Sequence, residues 1–181
     1  MPNWCTNMFS VTHPEKEMME RFVNACKEGR LFQEFIPMPE ELNGTTSPSD
    51  TINEELISKY GADDWYTWCL NNWGSKWDIN VGDVEYDEQY NQATGWFDTP
   101  WGPAIEAYRK LTEQGFDVNV MYHEPGMCFA GRYTSGGDDE YVDYDFSDPN
   151  WRDNMDEDLA EYLEPDYESY LEMLEEQNEG D

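Results

Sequence analysis

Apolar and polar positions along the first three-quarters of the chain change period several times, and each change marks an element. Residues 7–12 alternate and predict a strand. Pro14 sits where a first helical turn tolerates proline. Beyond it Met18, Met19, Phe22, Val23 and Cys26 share one helical face, which Gly29 ends. Residues 31–36 are short and apolar, and the Pro-, Gly-, Ser- and Thr-rich stretch 37–52 predicts a loop or insertion. Asp63 is positioned to cap a helix carrying Trp65, Trp68 and Cys69, with Gly74 beyond its end. Residues 76–85 alternate through Trp77, Ile79, Val81 and Val84 and predict a strand with an irregularity at Gly82; residues 95–101 predict another. Pro103 opens a helix with Ala104, Ile105, Tyr108 and Leu111 on one face, stopped at Gly115. Residues 116–123 alternate cleanly, and 127–133 supply a hairpin partner across Glu124-Pro125-Gly126.

Strand, helix, strand, strand, helix, strand is the split βαβ order, so the expected fold is α+β: a ferredoxin-like antiparallel sheet with helices on one face. It occupies 1–137, with an inserted loop and tryptophan-bearing helix over 37–75. Residues 138–181 are expected to form an acidic, helical extension packed on this core. Asp138 to Phe146 reads as an edge strand. Asn154 followed by Glu157 resembles a capping box for a short helix over 155–163. Glu164-Pro165 then restarts a helix to about 177, with Tyr167, Tyr170, Leu171 and Leu174 on its apolar face.

Charge changes the picture most in that extension. The chain of 181 residues carries a formal net charge of −31. The last 44 residues hold nineteen Asp or Glu and one base, Arg152, while the first 137 hold 22 acids and nine bases. A halophile's acidity would be spread over the whole surface; this acidity is uneven, a net −13 over the first 137 residues against −18 over the last 44, which favours a local purpose. Such a chain repels nucleic acid and anionic membranes and attracts basic proteins. The aromatics threaded through the extension set it apart from a disordered acidic tail. No apolar run approaches the roughly 20 residues that span a bilayer. The start carries no secretory leader pattern, and Cys5, Cys26, Cys69 and Cys128 lack CxxC spacing. They are expected to be reduced, buried thiols of a cytoplasmic protein.

Four stretches carry a family resemblance: MPNWCTN (1–7), WCLNNWGSKWD (68–78), FDTPWGPAIEAY (97–108) and EPGMCFAG (124–131). Together they resemble the YubB-like proteins of plasmids and phages. The resemblance covers about 1–137; it implies the ferredoxin-like domain and a mobile-element, host-cell setting, and no reaction.

Candidate chemistry is sparse. There is no P-loop and no GxGxxG. Asp143-Tyr-Asp145-Phe-Ser147 starts like a calcium loop, but its sixth position is Asp148 and its twelfth Asn154, so the EF-hand pattern fails. His13 and His123 have no sequence-local nucleophile, and for Cys128, five residues from His123, a buried thiol outweighs a Cys–His pair. Neither a catalytic residue, a metal site nor a cofactor is expected. Glu164, Glu168, Glu172 and Glu176 form an i,i+4 row that advances about 6 Å per step, comparable to phosphate spacing along a DNA strand. With Glu175 they are the expected partner-binding residues, supported by Asp138, Asp139, Asp143 and Asp145; a solvated, solubilising face is the plain alternative. The expected function is that of a non-enzymatic acidic binding protein, a DNA-mimic-like inhibitor of a basic or nucleic-acid-binding host protein. Two alternatives stand beside it. One is a small-molecule site in the tryptophan-rich core, with Asn3, Trp4, Asn72, Trp73 and His123 as the candidate pocket. The other is a divalent-cation module.

Overall fold

Burial along the first strand, β1 (Trp4–Thr12), alternates strictly: Cys5, Asn7, Phe9 and Val11 are buried, and Trp4, Thr6, Met8 and Ser10 turn the other way. That alternation gives the domain its two faces. The computed structural model describes residues 2–49, 51–137 and 139–179. After β1 come α1 (Lys16–Lys27), α2 (Leu31–Phe35), a 3-10 turn (Glu40–Leu42), α3 (Glu54–Tyr60) and α4 (Trp65–Trp73). β2 (Val84–Asp87), β3 (Gln92–Pro100), α5 (Ile105–Glu113), β4 (Asp117–Glu124), β5 (Phe129–Thr134), β6 (Glu140–Asp143) and α6 (Glu157–Glu179) complete it.

The strands form one six-stranded sheet in the order β2-β3-β1-β4-β5-β6, antiparallel throughout. The first four reproduce the ferredoxin-like arrangement; β5 and β6 prolong the sheet past β4. Residue 137 lies between two strands of this single sheet. Both edges are four-residue strands: β2 carries Glu85 and Asp87, and β6 carries Glu140 and Asp143.

The main core lies between the sheet and the helices α1, α2, α4 and α5. It is rich in rings: Phe9 meets Phe22 edge-on at 5.9 Å, and Phe35 meets Phe116 edge-on at 5.1 Å. At one end of it sits Asn7, fully buried, whose amide nitrogen donates to the Cys5 carbonyl (2.8 Å), the Phe97 carbonyl (3.3 Å) and Thr99 Oγ1 (2.8 Å). Its Oδ1 accepts from the Tyr108 hydroxyl at 2.6 Å.

A second, smaller core occupies the opposite face of β5. There Leu159 and Leu163 of α6 pack with Trp151, Tyr144 and Ala130. Burying two such leucines contributes roughly 3–6 kcal/mol, which helps to hold a helix whose exposed residues are mostly acidic.

Several local expectations are corrected. Asp64, not Asp63, caps α4; its carboxylate accepts from the amides of Tyr66 (2.9 Å) and Thr67 (3.0 Å), while Asp63 accepts from the Asn53 amide. The strand expected over 76–85 is only Val84–Asp87. Upstream, Asp78 turns back to accept the amides of Phe32, Gln33 and Ile79, each at 2.8 Å, and the chain cannot stay extended. The two helices expected at the end are one, with Pro165 inside it. Its cap is Asp156, which accepts from the Leu159 amide at 2.7 Å.

Candidate functional site

The acidic helix is docked through its own acids. Two groups on the sheet face opposite the main core receive it: Arg132 of β5 and His123 of β4. Arg132 reaches Asp156 (3.3 Å) and Asp158 (3.0 Å) at the start of α6. His123 Nδ1 meets the Tyr162 hydroxyl at 2.9 Å, and its Nε2 lies 3.4 Å from Asp166. Asp158, Tyr162 and Asp166 are spaced four apart, so this stripe of α6 meets the sheet beside the apolar stripe that fills the second core.

The expected partner-binding carboxylates divide on this geometry. Glu168, Glu172, Glu175 and Glu176 are exposed on α6. Glu164 is paired with Arg152. Asp139 accepts from the buried Tyr122 hydroxyl (2.8 Å), Asp143 from Tyr141 (2.8 Å), and Asp145 from the amide and hydroxyl of Ser147 (2.9 and 2.7 Å). These three serve the local structure around β6. Asp138 lies outside the described residues.

Burial holds the His123 imidazole below its ordinary value, against the opposing pull of Asp166, Asp98 and Glu124. The unfolded chain therefore takes up a proton at higher pH than the folded one. This contribution to stability is present above the ordinary value near 6.5 and is lost as pH falls toward the lower folded value. Between pH 7 and 5 the melting temperature of the native chain should fall more steeply than that of His123→Gln. Superimposable pH profiles would refute this account of the histidine.

The candidate pocket residues do not gather. Trp73 is buried in the helical layer, its indole N–H donating to the Ile36 carbonyl at 2.9 Å. Asn72 donates to the Trp68 carbonyl and accepts from Lys110. Asn3 donates to Glu124, whose buried carboxylate also takes the amides of Gly126 (2.7 Å) and Met127 (2.8 Å). Trp4 and His123 stand on the opposite sheet face. Cys5, Cys26 and Cys69 are buried, and burial pushes the thiols of Cys26 and Cys69 up to about 12. Cys128 is exposed instead, at a positive φ of 55° in the β4–β5 turn; its thiol donates to the Pro125 carbonyl.

Sequence reading passed over the half of that face which α6 leaves bare. Trp4, Met8 and Trp96 are each about half exposed, with Met121 beside them. The signal was there: large apolar residues occupy the outward phase of β1 and β3, where alternation calls for polar ones. Trp4, Trp77, Trp96, Asp78 and Asp98 line a cleft of about 300 Å³ on this surface.

No helix among the described residues is long and apolar enough to cross a membrane. No curated protein matches the chain. A crystal structure of protein api92 from Yersinia pseudotuberculosis aligns over 80% of this chain and 99% of that one, at 12% identity and a TM-score of 0.40. A family model described as the ferredoxin-like domain in Api92-like protein matches residues 73–175. The resemblance read from sequence stops at residue 137, whereas this match runs on through β6 and most of α6. The acidic extension is thus part of the family domain, and the chain belongs to the family of the Api92-like ferredoxin-like domain.

Proposed function

We propose that the chain is a non-enzymatic binding protein that takes a basic protein partner on the outer surface of α6. The observation that carries this reading is the placement of Glu168, Glu172, Glu175 and Glu176. All four are exposed in the C-terminal half of a helix whose last turn has no base. Mutual repulsion along the i,i+4 row disfavours them, and the helix dipole adds to it at Glu176 in the last turn. A cationic partner offsets both effects. In its specific form the reading is DNA mimicry: carboxylates one helical turn apart stand in for phosphates. In the plasmid and phage setting of the YubB-like proteins, the partner is a host DNA-binding or defence protein, which this chain would inhibit.

Glu168→Lys, Glu172→Lys and Glu176→Lys together test it. They leave the docking stripe of α6 untouched and change the net charge by six out of thirty-one. Displacement of labelled duplex DNA from a panel of basic DNA-binding proteins is the measurement. The native chain should compete at low salt and lose potency as salt rises, and the triple variant should be at least about tenfold weaker. Equal competition by the variant ends the reading.

A further inference from the structure

On the bare half of the sheet, Trp4 faces Pro100, Thr6 faces Asp98 and Met8 faces Trp96 across the β1–β3 pair. The chain between α4 and β2 folds over one end of this pair and brings in Trp77, Asp78 and Asn80. Three indoles and two carboxylates thus line one cleft of about 300 Å³. Its parts are held before anything binds. The Trp96 ring lies against the backbone of Gly82, where a Cβ would come within 2.6 and 2.8 Å of ring carbons, and the Gly82 amide donates to the Trp96 carbonyl at 3.1 Å. Thr6 Oγ1 donates to Asp98 at 2.8 Å and orients its carboxylate. Three amides fix Asp78.

Indole faces attract cations, guanidinium more often than ammonium. A guanidinium is planar, so it stacks on an aromatic ring while its N–H edge forks onto a carboxylate. Trp77 already takes one cation: Lys76 Nζ sits 4.4 Å from its ring centre, and 5.7 Å from that of Tyr66. Among the described residues the cleft lining has two carboxylates, and the neighbouring Lys76 balances only one of them, so the cleft disfavours phosphate-bearing ligands. Trp96 also walls a neighbouring groove of about 360 Å³ lined by Met8 and Met121, adaptable apolar side chains suited to an aliphatic neighbour.

We infer that this face binds an arginine side chain of a partner protein, stacked among Trp4, Trp77 and Trp96 and paired with Asp98, with an adjacent aliphatic residue on Met8 and Met121. The inference deepens the proposed function, since the partner is of the same basic class, but it uses a different surface from the α6 glutamates.

The test is titration of the full chain with two amidated peptides, Gly-Arg-Leu-Gly and its citrulline counterpart, neutral and nearly isosteric, followed by indole fluorescence and by NMR shifts of the tryptophan side chains. The arginine peptide should bind at least about tenfold more tightly than the citrulline one. Asp98→Asn, which keeps an acceptor for Thr6, should abolish that preference, and Trp4→Leu, at a half-exposed position, should weaken binding by a similar factor. Glu168→Lys/Glu172→Lys/Glu176→Lys should leave arginine-peptide binding within about twofold, as expected for a surface outside the cleft, so the two sites succeed or fail separately. Equal binding of both peptides, absence of binding at millimolar peptide, or indifference to both Asp98→Asn and Trp4→Leu overturns the inference. Preferential binding of oligothymidylate would also overturn it, because the indoles would then be stacking bases.

Discussion

Asn7→Ala should destabilise the domain by about 3–4 kcal/mol, as much as truncating a large core side chain although the residue is polar. The asparagine is fully buried and joins three elements: β1 through Cys5, β3 through Phe97 and Thr99, and α5 through Tyr108. Its removal leaves a cavity and, more costly, a Tyr108 hydroxyl without its 2.6 Å acceptor. The two partners should couple. Tyr108→Phe alone should cost about 1–2 kcal/mol, and the double variant less than the sum, because the orphaned hydroxyl goes with the ring oxygen. Urea unfolding of the four proteins measures the cycle. A melting temperature drop for Asn7→Ala of about 10 °C corresponds to this loss in a domain of this size. A loss under about 1 kcal/mol, or strict additivity, would mean the network contributes little.

Gly131→Ala should be comparably damaging, about 3 kcal/mol or more, for the opposite reason: too much matter instead of too little. A Cβ at this position would overlap the Glu140 carbonyl of β6 and the Tyr122 hydroxyl. Tyr122 is fully buried and hydrogen-bonded to Asp139, so its ring has no room to retreat. The cheaper relaxation is for β6, a short edge strand, to leave β5. Amide exchange should then show β6 losing protection while β1, β3 and β4 keep theirs. Native-like stability with intact β6 protection would show that the sheet absorbs the methyl group by a rigid shift.

Neither position stands out from periodicity alone, and both show where sequence reading reaches its limit. Strands and helices of the main core were legible because their apolar residues keep period: Met19, Phe22, Val23 and Cys26 in α1, and Val118, Val120 and Tyr122 in β4. Asn7 breaks the pattern as a polar residue at a buried position, and only the structure supplies its four partners. Residues 76–83 alternate like a strand, yet Asp78 finds better partners in the amides at the start of α2, a tertiary preference that no local pattern carries. Pro165 marks a helix break by propensity, but Leu159 and Leu163 on one side and Tyr167 and Tyr170 on the other pack against the same cluster of rings, which keeps α6 continuous. For the candidate site, the outward glutamates of α6 were readable from spacing. The cleft was not, because Trp4, Trp77 and Trp96 come from three separated stretches that meet only when β1 pairs with β3.

The two short sheet edges have a consequence for how this molecule keeps to itself. A domain with exposed tryptophans and an unfinished hydrogen-bond ladder on each side is a template for adding strands from other copies. Here each rim is four residues long and carries two carboxylates: Glu85 and Asp87 on one, Glu140 and Asp143 on the other. Any copy that approaches either rim edge-on brings acids against acids, so polymerisation is opposed at the place where it would begin. That guard is made of charge, and dissolved salt screens it. High ionic strength should therefore favour strand addition between intact copies while the core stays folded, and concentrated preparations will keep best at low salt.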